Sequence, residues 1–303
     1  MDKMIPFPVQ SLSEPKTLCA TTFQYILMRS IFSTPLHILY DKENCVSCGL
    51  CAVMCTTGKI TALEDQSPKI RDDAPCISCG QCIAVCPEAV LSTDTPAFTA
   101  PIEDAAYRSG IDGDLLSRYL KSRRSVRVWK NKVVAHNDLT QLIDVAAYAP
   151  SACNIHPVKW VVVSDPLVVQ EFAQASIAAL KALPADHPMA QLSQMLIANA
   201  EAGADPVCRN APALLIAASD ADQEYGLIDS IIALSYIDAF APSIGLGTCW
   251  VGYVMIMLRL KPELGSILGI PKDWTPQYAM LAGYPDVAFS QIPPREAPEI
   301  IWK

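Results

Sequence analysis

The sequence predicts an α+β protein of two domains: a small cysteine-rich domain, then a larger one in which helices flank a mixed sheet. Eight of the twelve cysteines lie between Cys45 and Cys86, which marks the first domain. Helical and strand-like segments alternate in the second half, as is typical of α and β elements packed around a sheet. A long apolar helix lies within that half. The 303 residues suffice for two hydrophobic cores.

We expect four segments along the chain. Residues 1–38 form an N-terminal extension to which the sequence assigns no role, and residues 39–92 form the cysteine-rich domain. Residues 93–113 are rich in Thr, Ser, Asp and Pro, which is typical of a linker. Residues 114–303 form the larger domain.

Charge and hydropathy argue against two kinds of partner. The formal net charge of −8 argues against nucleic acid, because neutralising phosphates requires clustered Lys and Arg. The densest apolar run, Cys249–Leu258, is too short to span a bilayer, so no membrane span is expected. The segment Leu18–Phe32 is interrupted by Gln24 and Arg29 and predicts no secretion signal. We therefore expect a cytoplasmic protein with a small-molecule or protein partner.

The eight clustered cysteines form two runs with one spacing, CxxCxxCxxxC, and each cysteine recurs 31 residues later. The residues between the cysteines repeat as well. Gly49 and Gly80 occupy equivalent positions, where the backbone must approach a bound group closely. Structural zinc sites usually present two CxxC pairs a dozen or more residues apart, a spacing that differs from the one seen here. Zinc is therefore the less favoured alternative for these cysteines, and disulfides are less favoured still. The runs are Cys45, Cys48, Cys51, Cys55 and Cys76, Cys79, Cys82, Cys86.

This pattern resembles the bacterial ferredoxins with two [4Fe-4S] clusters. In that family the fourth cysteine of each run ligates the cluster of the other run. The resemblance implies one cluster on Cys45, Cys48, Cys51 and Cys86, and a second on Cys76, Cys79, Cys82 and Cys55. The usual proline after the fourth cysteine is present as Pro87 but replaced by Thr56. Thiolate ligands of this kind fit a reducing compartment.

In the larger domain the hydrophobic periodicity predicts helices and strands in alternation. The expected elements are a helix at Asp138–Tyr148, a strand at Trp160–Val163, helices to about Ala202, a strand at Ala213–Ala217 and a helix at Tyr225–Ala241. The last helix is apolar nearly all round. Such a helix must be buried on every side, and we expect a second subunit to cover it in a homodimer.

The segment Ser122–Trp129 reads SRRSVRVW. Guanidinium groups offer paired donors to phosphate oxygens and the serine hydroxyl adds another. Taken alone, such a run is more often a solvated helix face. The segment resembles the RxSxRxF signature of the FMN site in the nitroreductase family.

Three further segments resemble that family in the same order. Pro150–Asn154 with Pro157–Trp160 is similar to the APSxxNxQPVxW loop, which contacts the flavin from the partner subunit, although His156 replaces the usual Gln. Ala241–Tyr253 is similar to the segment beside the isoalloxazine ring, and Leu281–Asp286 to the C-terminal strand before the last phosphate-binding arginine. The FMN contacts that the resemblance implies are Arg123, Arg124, Ser125, Arg127, Pro150, Ser151, Ala152, Asn154, Gly247, Thr248, Cys249, Trp250 and Arg295.

Together the resemblances imply an oxidoreductase that passes electrons from ferredoxin or flavodoxin through two clusters to FMN. The acceptor would be a small organic molecule, such as a nitro compound, a quinone or an activated alkene. NAD(P)H would be an additional candidate donor, since it can deliver hydride directly to FMN. We assign no catalytic side chain. The alternatives are an electron-transfer or redox-sensing module for a protein partner, and a zinc-binding nucleic-acid adaptor, which would need a basic face.

Overall fold

The computed structural model describes residues 37–93 and 110–303. The chain divides into two compact units, Met1–Glu103 and Asp104–Lys303, which are described separately below. The predicted N-terminal extension lies outside the described residues except for its last two positions. Residues 94–109 of the predicted linker also lie outside the described residues.

Within residues 37–93, the first unit has four short strands and two short helices. Two antiparallel ribbons, β1 with β4 and β2 with β3, carry them. The elements are β1 Ile38–Tyr40, α1 Leu50–Met54, β2 Ile60–Ala62, β3 Pro68–Ile70, α2 Gln81–Val85 and β4 Leu91–Thr93.

The predicted duplication extends to the backbone of the two cysteine runs. Both helices begin after a left-handed glycine, Gly49 with φ 71° and Gly80 with φ 67°. Two residues earlier, Ser47 and Ser78 also have positive φ angles, 52° and 55°. The glycines are therefore needed for the turn that starts each helix. The two runs wrap their cysteines in the same local fold.

The second unit is a four-stranded sheet with helices on both faces. Its strand order is β5-β6-β8-β7, and all four strands pair antiparallel. A parallel component enters where Ser125 bridges to Thr248 at the β7 edge, so the sheet is mixed there. The elements are α3 Gly113–Ser122, α4 His136–Ala147, β5 Lys159–Val163, α5 Pro166–Lys181, α6 Ala190–Glu201, β6 Ala213–Asp220, α7 Gly226–Phe240, β7 Gly247–Trp250, α8 Gly252–Leu260 and β8 Trp274–Gly283.

Each face of the sheet has its own core. Leu215 of β6 packs on one face against α4 and α7, through residues such as Leu142 and Leu234. Its neighbour Leu214 packs on the other face against α5, α6 and α8, with Phe172 at the centre. Alternation along β6 places successive side chains on opposite faces, and both faces are dry. The predicted α+β class is confirmed.

Strand β6 is longer than the sequence predicts. The apolar run predicts an end at Ala217, whereas the strand continues to Asp220. An irregularity between Ala217 and Ala218 shifts the register, and Ser219 then pairs with Thr275 of β8. Polar residues continue the strand because backbone pairing with β8 does not depend on their side chains.

Helix α7 buries its polar residues and exposes apolar ones. Asp229 and Asp238 are 3% and 7% exposed, whereas Leu227, Ile228 and Tyr236 are 45%, 55% and 39% exposed. By length and composition alone, the stretch Gly226–Ile244 could cross a membrane, and 39% of it is buried in the fold. Two buried carboxylates with partners in the same unit are the signature of a core helix. Within a single chain the predicted burial on every side is therefore incomplete.

Candidate functional site

The clustered cysteines line two separate cavities in the first unit. Each cavity takes three cysteines from one run and the fourth from the other. We call the cavity lined by Cys45, Cys48, Cys51 and Cys86 cluster site 1. We call the cavity lined by Cys55, Cys76, Cys79 and Cys82 cluster site 2. This is the grouping that the sequence predicts, and ligation of iron by it stays a prediction.

Hydrogen-bond donors surround the sulfur of Cys55. The Ile60 N–H donates to it at 3.3 Å, and the Thr57 hydroxyl lies 3.7 Å away. Burial raises the pKa of the Cys55 thiol, but these hydrogen bonds prevail and the pKa is lowered. At Cys82 burial dominates and raises the pKa to about 11. The surroundings of Cys55 thus favour the thiolate, the form that binds metals.

Asp238 of α7 joins the predicted phosphate and ring segments of the second unit. Its Oδ1 accepts a hydrogen bond from Thr248 Oγ1 at 2.5 Å, and its Oδ2 accepts from the Trp250 indole N–H at 2.9 Å. The Arg123 Nε lies 3.4 Å from the same Oδ2. One buried carboxylate therefore fixes three of the predicted FMN contacts.

Arg123 retains a donor that the fold does not satisfy. Its Nη1 is buried and has no hydrogen-bond partner among the residues that the structure describes. The side chain as a whole is 35% exposed. A buried guanidinium N–H is unfavourable unless an acceptor meets it, and anionic oxygens are its strongest acceptors. This atom therefore fits the phosphate that the sequence predicts here.

The segment after Arg123 lies along the edge of β7. The Val126 N–H donates to the Thr248 carbonyl at 2.9 Å, next to the bridge made by Ser125. A Cβ on Gly247 would lie 2.4 Å from Val126 Cγ2. Gly247 is therefore required by the close approach of this segment, and it brings Ser125 beside Thr248 as the sequence predicts.

The other two arginines of the segment have different surroundings. The Arg124 Nη1 donates to the carbonyl oxygens of Lys121 and Arg123 at 2.9 and 2.5 Å, so it caps the end of α3. The charge of Arg127 acts on the Cys249 thiol. Burial raises the pKa of that thiol, and the charges of Arg127 and Arg209 oppose the rise. Arg209 is a neighbour of this site that the sequence motifs do not include.

A second carboxylate of α7 holds the loop that begins at Pro150. The Ala152 N–H donates to Asp229 Oδ1 at 3.1 Å. Within the loop, the His156 N–H donates to Ser151 Oγ at 2.9 Å. Both ends of the predicted flavin loop are thereby held, one of them by the same helix that carries Asp238.

The same loop contains three departures from ordinary backbone geometry. Cys153, Asn154 and His156 have φ angles of 50°, 57° and 49°. Such conformations cost free energy, and they concentrate where a ligand site requires them. The His156 Nε2 lies 3.0 Å from Asn154 Oδ1, so the histidine that replaces the usual glutamine orients the asparagine amide.

Arg295 is not brought together with these residues. It lies in an exposed segment, residues 286–303, that contains neither helix nor strand. Its predicted role at the phosphate stays a prediction.

Sequence reasoning missed Asp229 and Asp238, although a signal was present. They are the two charged residues of an otherwise apolar helix. A charge in such a helix requires a partner, because carboxylates are rarely buried unpaired.

Two family models match this chain. The nitroreductase family model matches residues 120–284, and a 4Fe-4S dicluster domain model matches residues 36–91. The first match contains all the predicted FMN contacts except Arg295, and the second contains all eight clustered cysteines.

Relatives and solved structures are similar over the second unit. A "Putative NADH dehydrogenase/NAD(P)H nitroreductase" of Archaeoglobus fulgidus is 28% identical over 172 residues, which cover 55% of this chain and 84% of that protein. A protein of the same name from Methanothermobacter thermautotrophicus is 24% identical over 170 residues, 55% of this chain and 75% of that protein. The crystal structure of a nitroreductase with bound FMN from Bacteroides fragilis has a TM-score of 0.53 at 20% identity, covering 62% of this chain and 98% of that one.

Proposed function

The chain belongs to the nitroreductase family, and from this membership we propose an FMN-dependent oxidoreductase supplied with single electrons by its own iron-sulfur domain. The observation that carries the proposal is the pair of cysteine quartets on a chain of this family. A hydride donor reaches a flavin directly and needs no relay, whereas iron-sulfur clusters carry electrons one at a time.

The residues of the second unit fit FMN. FMN supplies the redox chemistry, since it accepts single electrons and delivers hydride. The unsatisfied Nη1 of Arg123, with the Ser125 hydroxyl near it in sequence, would hold the phosphate. Asp238 would keep Arg123 and Trp250 in place, and Asp229 would hold the loop that closes on the ring. These residues bind, orient and exclude water, and none is assigned a proton transfer.

The two cysteine quartets fit [4Fe-4S] clusters. Each quartet surrounds a cavity, with three cysteines from one run and one from the other. A zinc ion draws four sulfurs to one point, with Zn–S bonds of about 2.3 Å. Within residues 37–93 and 110–303, no three His, Cys, Asp or Glu side chains are close enough to hold a single metal ion. The CxxCxxCxxxC spacing of both runs, with the fourth cysteine at the cavity of the other run, supports an iron-sulfur cluster in each cavity.

The partners that we propose follow from these cofactors. The donor is a one-electron carrier protein such as ferredoxin or flavodoxin, and the acceptor is a nitro compound, quinone or activated alkene. The names of the two archaeal relatives favour NAD(P)H as a further donor. Clusters held by exposed and half-buried thiols favour a reducing, cytoplasmic compartment.

The cofactor content tests the proposal. After anaerobic purification or reconstitution, we expect iron and sulfide for two [4Fe-4S] clusters and one FMN per chain. The measurement is a visible spectrum combined with metal, sulfide and flavin analysis. Zinc in place of iron, or FAD in place of FMN, would contradict it. Substrate turnover then separates an enzyme from a redox-sensing module. Only an enzyme is repeatedly reduced by its donor and reoxidised by a nitroaromatic compound.

We further propose a homodimer formed through the outward face of α7. Leu227, Ile228 and Tyr236 expose apolar surface there, and Ile301 and Trp302 are 86% and 87% exposed in the C-terminal segment. Apolar surface of this extent marks an interface.

Substituting Ile228→Lys should therefore convert the dimer to monomer and release FMN. Light scattering and flavin content measure the result. Leu167→Lys is the matched control, because Leu167 is 70% exposed on α5 and should leave the assembly intact. An active, FMN-replete monomer of the unmodified chain at low concentration would rule out the proposed interface.

A further inference from the structure

The two halves of the first unit share a turn after the fourth cysteine of each run, but they differ in charge there. Gly58 and Ala89, which are 31 residues apart, both have positive φ angles, 68° and 52°. The next residues, Lys59 and Val90, are both 8% exposed. A lysine thus occupies the buried position that the other half gives to valine. Lysine is rarely buried to this degree without a negatively charged partner.

Lys59 lies at cluster site 2. It lines that cavity together with the four cysteines. Among the residues that the structure describes, no acidic side chain lines this cavity, so the cysteine thiolates are the negative groups available to the Lys59 ammonium group in the metal-loaded protein.

Cluster site 1 has the opposite charge. Glu88, the counterpart of Thr57 in the duplication, lines this cavity. Within the described part of the chain, no basic side chain lines this cavity, whereas Lys59 lines site 2. The two sites therefore differ in the charge of the side chains that line them.

A cluster ligated by four thiolates becomes more negative by one charge on reduction. A nearby cation therefore raises its reduction potential and a nearby anion lowers it. We propose that Lys59 holds the cluster of site 2 at a higher reduction potential than the cluster of site 1. An electron from the donor protein that reduces the site 1 cluster then passes to the site 2 cluster, which is reduced as the first is reoxidised. The electron rests at site 2 before it leaves the domain. This inference rests on the proposed function, since both clusters must be present.

The test is a redox titration of the full chain, reconstituted anaerobically and followed by electron paramagnetic resonance. For the unmodified protein we expect two separate midpoint potentials. Lys59→Met removes the charge and keeps an apolar stem of similar length. This variant should change the equilibrium constant for electron transfer between the two clusters about tenfold in favour of site 1. For one electron, that change corresponds to about 59 mV in the difference between the two midpoint potentials.

Three further variants isolate the charge. Lys69→Met removes an exposed lysine of β3 that lines neither cysteine cavity, and it should leave the difference between the potentials unchanged. Lys59→Arg should retain the wild-type difference. Val90→Lys adds the charge at the equivalent position of the other half and should raise the lower potential.

The outcomes separate this inference from the proposed function. If iron and sulfide for two clusters are absent from the unmodified protein, the proposed function is wrong. If both clusters are present and Lys59→Met moves the potentials no more than Lys69→Met does, the role of Lys59 is wrong. If Lys59→Met does not fold, Lys59→Arg and Val90→Lys still decide. The inference is wrong if the two clusters have the same midpoint potential as each other in the unmodified protein and in Lys59→Arg. It is also wrong if Val90→Lys leaves the lower potential unmoved.

Discussion

In a double variant with Cys48→Ala and Cys79→Ala, we expect turnover driven by reduced ferredoxin or a reduced viologen to fall to background. Cys48 lines cluster site 1 and Cys79 lines cluster site 2, so each site loses one ligand. A cluster with three thiolate ligands is not held at full occupancy, and the relay of single electrons is interrupted in both places. FMN should stay bound, because the predicted flavin contacts begin at Arg123.

The same double variant should keep any turnover that NAD(P)H drives, since hydride enters the flavin without the clusters. Flavin content is measured first, so that misfolding is not mistaken for lost transfer. The matched control replaces Val53 and Lys69 by alanine, because both are exposed and neither lines a cysteine cavity. Wild-type rates with the viologen in the cysteine variant would mean that the clusters are structural.

Substituting Asp238→Ala should abolish FMN binding at micromolar flavin and destabilise the second unit. The change removes the acceptor of Thr248 and Trp250 and leaves Arg123 without its carboxylate. Hydrogen bonds to a charged group contribute about 1.5 to 3 kcal/mol each, so we expect a loss of at least about 2 kcal/mol in the free energy of unfolding. Urea unfolding of the flavin-free protein and fluorescence titration with FMN measure the two effects.

A carboxylate elsewhere in the unit provides the control for Asp238. Asp220 is 46% exposed and pairs with Lys159 at the end of the sheet. Surface ion pairs contribute about 0.2 to 1 kcal/mol, so Asp220→Ala should change stability little and leave FMN affinity intact. Equal FMN affinity in the Asp238→Ala variant and the unmodified protein would show that the network is not part of the flavin site.

The features that could be predicted from the sequence depend on local or repeated patterns. The resemblance of the repeated runs to two-cluster ferredoxins implied the grouping of cysteines that line the two cavities. Hydrophobic periodicity placed α4 and α7 within two residues of their observed ends. Motif order also predicted that Ser125 and Thr248 belong to one site, and the structure pairs them directly.

The features that could not be predicted depend on contacts between distant parts of the chain. Asp238 meets Arg123, which lies 115 residues earlier, and no spacing in either segment encodes that distance. The charge run suggested one role for all its arginines, whereas Arg124 caps α3 through local carbonyl oxygens. The apolar count of α7 does not show which face is buried, because the two carboxylates face inward whereas Leu227 and Ile228 are exposed.

In the proposed homodimer, the outward face of α7 also determines how a newly made chain reaches its assembled state. A protomer that has folded alone exposes Ile228 to water, on a helix whose other face already packs against the sheet. Until it encounters a second copy, it resembles the aggregation-prone folding intermediates whose exposed apolar surface chaperones bind. Assembly then becomes a second-order event that competes with aggregation, so the yield of refolded protein should pass through an optimum of concentration instead of rising steadily on dilution. In a cell, local translation of several chains from one message would favour the productive encounter.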